Sequence, residues 1–322
     1  MPVCPVAPAC ACARGGCRRP RRYPSDTTDG EWVLLGPLLP VPACQTTAGG
    51  RPEEHCRRAV LDAIRYVIHN GCVWRALPAD FPPWRTVYGI YQRWNRRGAT
   101  LALHDALRGL ARQAAGRDIE PTAAVIDSQS VRAAPTVPKA SRGWDNAKKV
   151  NGRKRHIAVD SGGLLLEVLA TPASVQDRDA ARPLLWNLSR ARRHLRLAWA
   201  DGGYAGKLVP WASAALHLTV QIVKRPDDLH TFKVLPRRWV VERTLAWITR
   251  HRRTVRDYER LPGHHETYVH WAMIIVMTPP SDPAASCHLR PCLAQPPPDD
   301  LRVMPDWLKQ QRDRVSASWR YW

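Results

Sequence analysis

The sequence predicts an α/β protein: a mixed five-stranded sheet flanked by helices and preceded by a small all-α domain of helix-turn-helix type. Three observations predict it. Apolar residues recur at helical spacing up to about residue 116, the period changes to that of strands from about residue 122, and strands then alternate with helices. At 322 residues the chain accommodates two modest domains. They divide as a helical domain over 23–116 and an α/β domain over 117–278, between a head (1–22) and a tail (279–322).

The head is Cys, Pro, Arg and Ala without periodicity, a composition that predicts disorder. Thr28-Asp29-Gly30-Glu31 opens a first helix whose apolar face is Trp32, Leu35, Leu38 and Leu39, stopped by Pro40. Residues 41–51 read as a loop. Pro52-Glu53-Glu54 reads as a second helix start, with Pro in the first turn and acids at the positive dipole end. Its stripe is Ala59, Val60, Ala63, Ile64, Val67 and Ile68, and Asn70-Gly71 ends it. The third helix, Thr86 to Arg97, faces inward with Val87, Ile90, Tyr91 and Trp94. Outward it carries Arg85, Gln92, Arg93, Asn95, Arg96 and Arg97. Arg93, Asn95, Arg96 and Arg97 suit phosphates and purine edges, as on a recognition helix; the alternative is a packing helix with a solvated basic face. Thr100 opens a fourth helix with Leu103, Leu107 and Leu110 inward.

In the second domain Ala123 to Ile126 is a short buried-type strand ending in Asp127. His156 to Val159 and Leu164 to Leu169 flank Ser161-Gly162-Gly163 as a hairpin. A helix over about 178–190, a strand over Leu195 to Ala200 ending in Asp201, a helix over Lys207 to Leu216, a strand over Val220 to Val223 and a long helix from Arg238 to about Arg252 complete it. Three strands in a meander, then helix, strand, helix, strand, helix, is the order of a ribonuclease-H-like fold. Beyond Met277 the chain is Pro-rich and aperiodic.

Charge narrows the partner. The 49 Lys+Arg against 28 Asp+Glu give a formal net charge of +21, which points to a polyanion because a cationic surface gains from releasing phosphate counterions. Nucleic acid is the commonest explanation; a ribosome-associated or membrane-surface protein remains open on composition alone. The nine cysteines lack zinc-knuckle spacing and read as reduced thiols of a cytoplasmic protein. The head has no signal-peptide core, and the apolar run Trp271 to Met277 is too short to span a bilayer, so no membrane is expected.

Asp127 and Asp201 each end an apolar strand. If those strands are parallel neighbours, both carboxylates emerge side by side at the carboxyl edge of the sheet. Glu242 borders the stripe Val241, Leu245 and Ile248 of the last helix, from which it could face them. Taken singly, each Asp reads as a turn or cap. Converging, the three would repel unless cations joined them, and hard oxygen ligands favour Mg²⁺ or Mn²⁺. Two ions ~4 Å apart can activate a water or a 3′-hydroxyl and stabilise the leaving oxygen of a phosphodiester. Lys148, Lys149, Arg153, Lys154 and Arg155 form a cationic run beside this site, suited to tracking phosphates, and Arg250 extends the last helix toward flanking DNA. Asp160, Asp177 and Asp179 read as turn and capping residues.

The strings AAVIDSQSV (123–131), NGRKRHIAVD (151–160), TPASVQDRD (171–179), ADGGYAG (200–206) and RRWVVERTLAW (237–247) resemble bacterial DDE transposases of the insertion-sequence-five family, as do CVWRAL (72–77) and 83–94. The resemblance covers about 23–278 and implies Asp127, Asp201 and Glu242 as catalytic and metal-binding residues, with two Mg²⁺ per site. It further implies Arg238 as a phosphate contact near the scissile bond. Its partners would be double-stranded DNA, at element ends and target, and a second copy of the chain, in the bacterial cytoplasm at the nucleoid. The implied activity is hydrolysis at terminal inverted repeats followed by attack of the freed 3′-hydroxyl on target DNA. The head and tail depart from the family pattern, which keeps open an inactivated or domesticated relative that only binds DNA.

Overall fold

A computed structural model describes residues 20–42, 53–223 and 238–278, with Arg238 described in its backbone only. The expected head and tail lie outside the described residues except for 20–22. So does Pro52.

The N-terminal half is helical: α1 (Asp29–Leu35), α2 (Arg57–Asn70), α3 (Trp84–Arg96) and α4 (Ala99–Ala114). Thr28 and Glu31 close α1 as a reciprocal capping box, the Glu31 carboxylate accepting from Thr28 N at 2.8 Å and the Thr28 hydroxyl from Glu31 N at 3.2 Å. The second helix begins at Arg57, later than Pro52-Glu53-Glu54 suggests, because Cys56 is still extended; Glu53 instead pairs with Arg57 at 3.1 Å. Gly71 ends α2 at φ 72°, which Gly adopts without strain. The turn Arg97-Gly98 joins α3 to α4.

The sheet contains β1 (Ala123–Arg132), β2 (Gly143–Asp145), β3 (Val150–Asp160), β4 (Leu165–Pro172), β5 (Leu197–Ala200) and β6 (Thr219–Ile222). Its order is β4-β3-β1-β5-β6, with the short β2 on the same edge of β3 as β4. Pairs β1–β3 and β3–β4 are antiparallel, β1–β5 and β5–β6 parallel. This is the expected five-stranded ribonuclease-H-like meander and crossover, with β2 a sixth strand the sequence did not announce. Helices α5 (Asp177–Ala191), α6 (Leu208–Leu216), α7 (Arg238–Thr249), α8 (Arg252–Val255) and α9 (Pro262–Met277) complete the chain. The expected long last helix is thus divided near His251.

Strand alternation sends neighbours to opposite faces. Ala124, Ile126 and Ala158 pack with Leu184, Leu188 and Ala212 beneath α5 and α6. Val125, Ile157 and Val159 pack on the other face, in a core shared by α2, α3, α4, α7 and α9. The helical half therefore has no core separate from the sheet. Trp94 stacks on Trp271 with centroids 6.4 Å apart, Trp74 Nε1 donates to the Tyr268 hydroxyl at 3.1 Å, and buried Arg112 pairs with buried Asp160. Arg65 joins Glu31 at 2.9 Å and Thr278 at 3.2 Å.

Candidate active site

The site arises where two parallel strands part. β5 pairs with β1 only from Ala123–Leu197 to Val125–Trp199. Beyond that rung β5 ends at Ala200, while β1 continues to Arg132 paired with β3 alone. Asp127 is consequently inside a long strand rather than at its end. The carboxyl edge exists at that point because its neighbour stops. Asp127 follows Val125 by two residues, and Asp201 follows Trp199 by two. Equal offsets put both side chains at one level, and both line a single cleft with Ile126, Trp199, Val223 and Val241.

Short backbone contacts fix both carboxylates. Asp127 Oδ1 accepts from Ser128 N at 2.7 Å. Asp201 caps the turn Gly202–Tyr204, its Oδ1 accepting from Gly203 N at 2.8 Å. A Cβ at Gly203 would stand 3.1 Å from that oxygen, so Gly gives the cap its room. Glu242 is exposed on α7, one residue from Val241, which lines the cleft, and α7 packs against β1. Among the described residues no three acidic, His or Cys side chains are drawn together as a ready-made metal cluster. Asp127 and Asp201 line the cleft, whereas Glu242 is next in sequence to its lining residue Val241 and is not itself part of the lining.

Tyr204 reports the local field. Its phenol is 1% exposed. Its pKa is raised well above the usual value, first by burial and then by the charges of Asp127, Asp177 and Asp201, against the Ser128 hydroxyl. Asp177, read from sequence as a cap, accepts from the Ser128 hydroxyl at 2.8 Å and pairs with the Lys154 ammonium at 3.0 Å. Sequence reasoning missed this link. It depends on the register of β3 against β1, which sets Lys154 and His156 opposite Ser130 and Ser128. Asp127, Asp177 and Asp201 all stand close enough to the buried Tyr204 phenol to act on its charge.

The cationic run divides, which revises its reading as one phosphate-tracking surface. Lys148 and Lys149 are exposed, and Lys148 Nζ reaches the Ser128 carbonyl at 3.3 Å, beside Asp127. Arg153, Lys154 and Arg155 lie inside, because β3 is central at that point and covered by neighbouring segments. Arg153 pairs with Asp257 at 2.9 Å, both side chains being 0% exposed, and donates to the carbonyls of Glu259 and Arg260. Lys154 also donates to the Val175 carbonyl, and Arg155 to Gln129 and the Thr254 carbonyl. Their charge is committed to internal partners. Arg93, Arg96, Arg97 and Arg250 are exposed. The Arg238 side chain lies outside the described residues.

Comparison with known proteins shows what the chain is similar to. A family model described as "Transposase DDE domain" matches residues 119–277, and one described as "Putative transposase of IS4/5 family" matches residues 27–104. The chain is 32% identical over 111 residues to "Insertion element IS402 uncharacterized 16.2 kDa protein" of Burkholderia cepacia, covering 33% of this chain and 71% of that one. It is 30% identical over 152 residues to "Putative transposase for insertion sequence element IS402" of the same organism, covering 45% of this chain and 69% of the relative. No helix among the described residues is long and apolar enough to cross a membrane.

Proposed function

Because this chain belongs to the DDE transposases of the bacterial IS4/5 family, we propose that it cuts DNA at the terminal inverted repeats of an insertion sequence and joins the 3′-hydroxyl ends to target DNA. The observation that carries this reading is the shared level of Asp127 and Asp201 at the parting of β1 and β5, in a cleft that Val241 of α7, the neighbour of Glu242, also lines. Asp127, Asp201 and Glu242 would hold two divalent ions, Mg²⁺ or Mn²⁺. Bound there, such ions supply activation of a water or 3′-hydroxyl and stabilisation of the leaving oxygen.

The chain's own residues orient and hold. Ser128 N and Gly203 N keep one oxygen of each Asp turned to its backbone, which sets the direction of the other. Lys148 and Lys149, with Arg250 at the end of α7 and Arg238 at its start, supply cations for phosphates on either side of the scissile bond. Arg93, Arg96 and Arg97 carry flanking duplex on α3. Catalysis then consists of positioning and charge stabilisation. Two element ends must be brought together, so a dimer on DNA is expected.

The test is strand cleavage. Purified protein with Mg²⁺ nicks a duplex carrying the element's end, and Asp201→Asn binds that duplex but cuts at least about 10²-fold more slowly. Normal cutting by Asp201→Asn would overturn the assignment. Binding without cutting by the natural protein would favour a relative that only binds DNA.

A further inference from the structure

Outside the cleft, the outer face of α5 carries an organised set of cations and aromatics. Arg178, Arg182, Trp186 and Arg190 follow one another at intervals of four, a single ridge of the helix, and all four are exposed. Trp186 is 47% exposed, unusual for so large an apolar side chain. The guanidinium of Arg190 lies 6.0 Å from the Trp186 ring centroid, and that of Arg182 lies 5.5 Å from that of Trp211 on neighbouring α6. Arg178 donates to the Gln176 side chain. These guanidiniums rest on rings and a neutral amide instead of carboxylates, so their charge remains available to an outside anion. Exposed Arg193 continues the positive face beyond the helix end. Buried Arg192 shows the contrast: it turns inward to Asp105 at the same end of α5.

The ridge starts near the strand that carries Asp127. Asp177, the first residue of α5, accepts from the hydroxyl of Ser128, the neighbour of Asp127. From there 15 residues rise about 22 Å, the length of roughly six base-pair steps at 3.4 Å. We propose that the outer face of α5, with Trp211 of α6, is a track for the phosphate backbone of duplex DNA leading away from the active cleft. This deepens the reading of that cleft as a transposase site and rests on it. The arginines neutralise phosphates, and the rings hold guanidiniums in place and give apolar area for the sugar face. Charge complementarity selects the occupant: across 178–196 the exposed acid is Asp179, against five exposed arginines.

The experiment measures affinity of the full chain for a labelled duplex by fluorescence polarisation over a salt series. Reversal of both Arg182→Glu and Arg190→Glu is expected to weaken binding at least tenfold and to reduce the slope of log K against log salt by about two. Trp186→Ala retains every charge and is expected to weaken binding severalfold with little change in slope. Unchanged affinity and slope in the reversal variant would overturn the track. So would a Trp186→Ala variant indistinguishable from the natural protein, because the reversal would then reflect overall charge. Strand cleavage is read in parallel. If the natural protein cuts and the α5 variants bind normally, the track alone fails; if it does not cut and the variants lose binding, the catalytic reading alone fails.

Discussion

Asp127 and Asp201 stand at one level of the sheet, each two residues past the Val125–Trp199 rung that is the last between β1 and β5. Replacing either by Asn preserves shape and removes charge. Asp127→Asn should reduce strand cleavage as far as Asp201→Asn does, and the double variant should be little worse than either, since both would serve the same pair of ions. Cleavage rates on an end-bearing duplex check this. Additive losses would mean the two act separately.

Arg153 and Asp257 form an ion pair buried on both sides at 2.9 Å. Removing one partner leaves the other charge unpaired in the interior. Asp257→Ala is expected to cost about 3–5 kcal/mol in denaturant unfolding. Arg153→Met should likewise lose stability while leaving the salt slope of DNA binding intact. A changed slope with unchanged stability would return Arg153 to the DNA surface.

Three buried histidines make the fold acid-sensitive. Burial lowers His156 to about 4 and both His251 and His270 to about 3. The unfolded chain would bind protons near pH 6.5 while the folded chain does not. The contribution of these three is therefore full above about pH 6.5 and declines as pH falls toward 4, by up to about 1.4 kcal/mol per unit for each residue. It outweighs the opposite trend of Glu167, which burial raises to about 7. His104 faces His270 with ring centroids 5.1 Å apart, and its own pKa is also lowered, so it adds to the same trend. Unfolding midpoints at pH 7, 6 and 5 should fall in that order. His251→Leu should flatten the decline, and a profile identical to the natural protein's would remove His251 from the account.

Trp94 on α3 and Trp271 on α9 lie in one core, 6.4 Å between centroids. Truncation of Trp271, which is 0% exposed, is expected to cost about 3–5 kcal/mol. Trp271→Ala should lower a single thermal transition followed by both helix and sheet signals. Two separate transitions would show that the helical half folds on its own.

Much of the fold was legible because it depends on local period. The stripe Val87, Ile90, Tyr91 and Trp94 is buried as its spacing requires, and Gly71 ends α2 where Asn70-Gly71 suggested. The length of β1 was not legible. Past Asp127 its residues Ser128, Gln129 and Ser130 are polar, and pairing with β3 rather than an apolar pattern keeps them extended. The burial of Arg153 and Arg155 was hidden for a related reason: their partners Asp257 and the Thr254 carbonyl lie about a hundred residues away in sequence. The shared core was equally invisible, since an amphipathic helix shows that it packs without showing on what. The level of Asp127 and Asp201 follows from where the β1–β5 pairing stops rather than from two strand ends, and the link of Asp177 to Ser128 likewise needed the structure.

The most direct measurement is anomalous diffraction from crystals of the protein with an end-bearing duplex and Mn²⁺. The account predicts metal peaks in the cleft between Asp127 and Asp201, with Glu242 brought to them. Metal bound at a different carboxylate cluster, or a DNA-filled cleft without metal beside these residues, would contradict it.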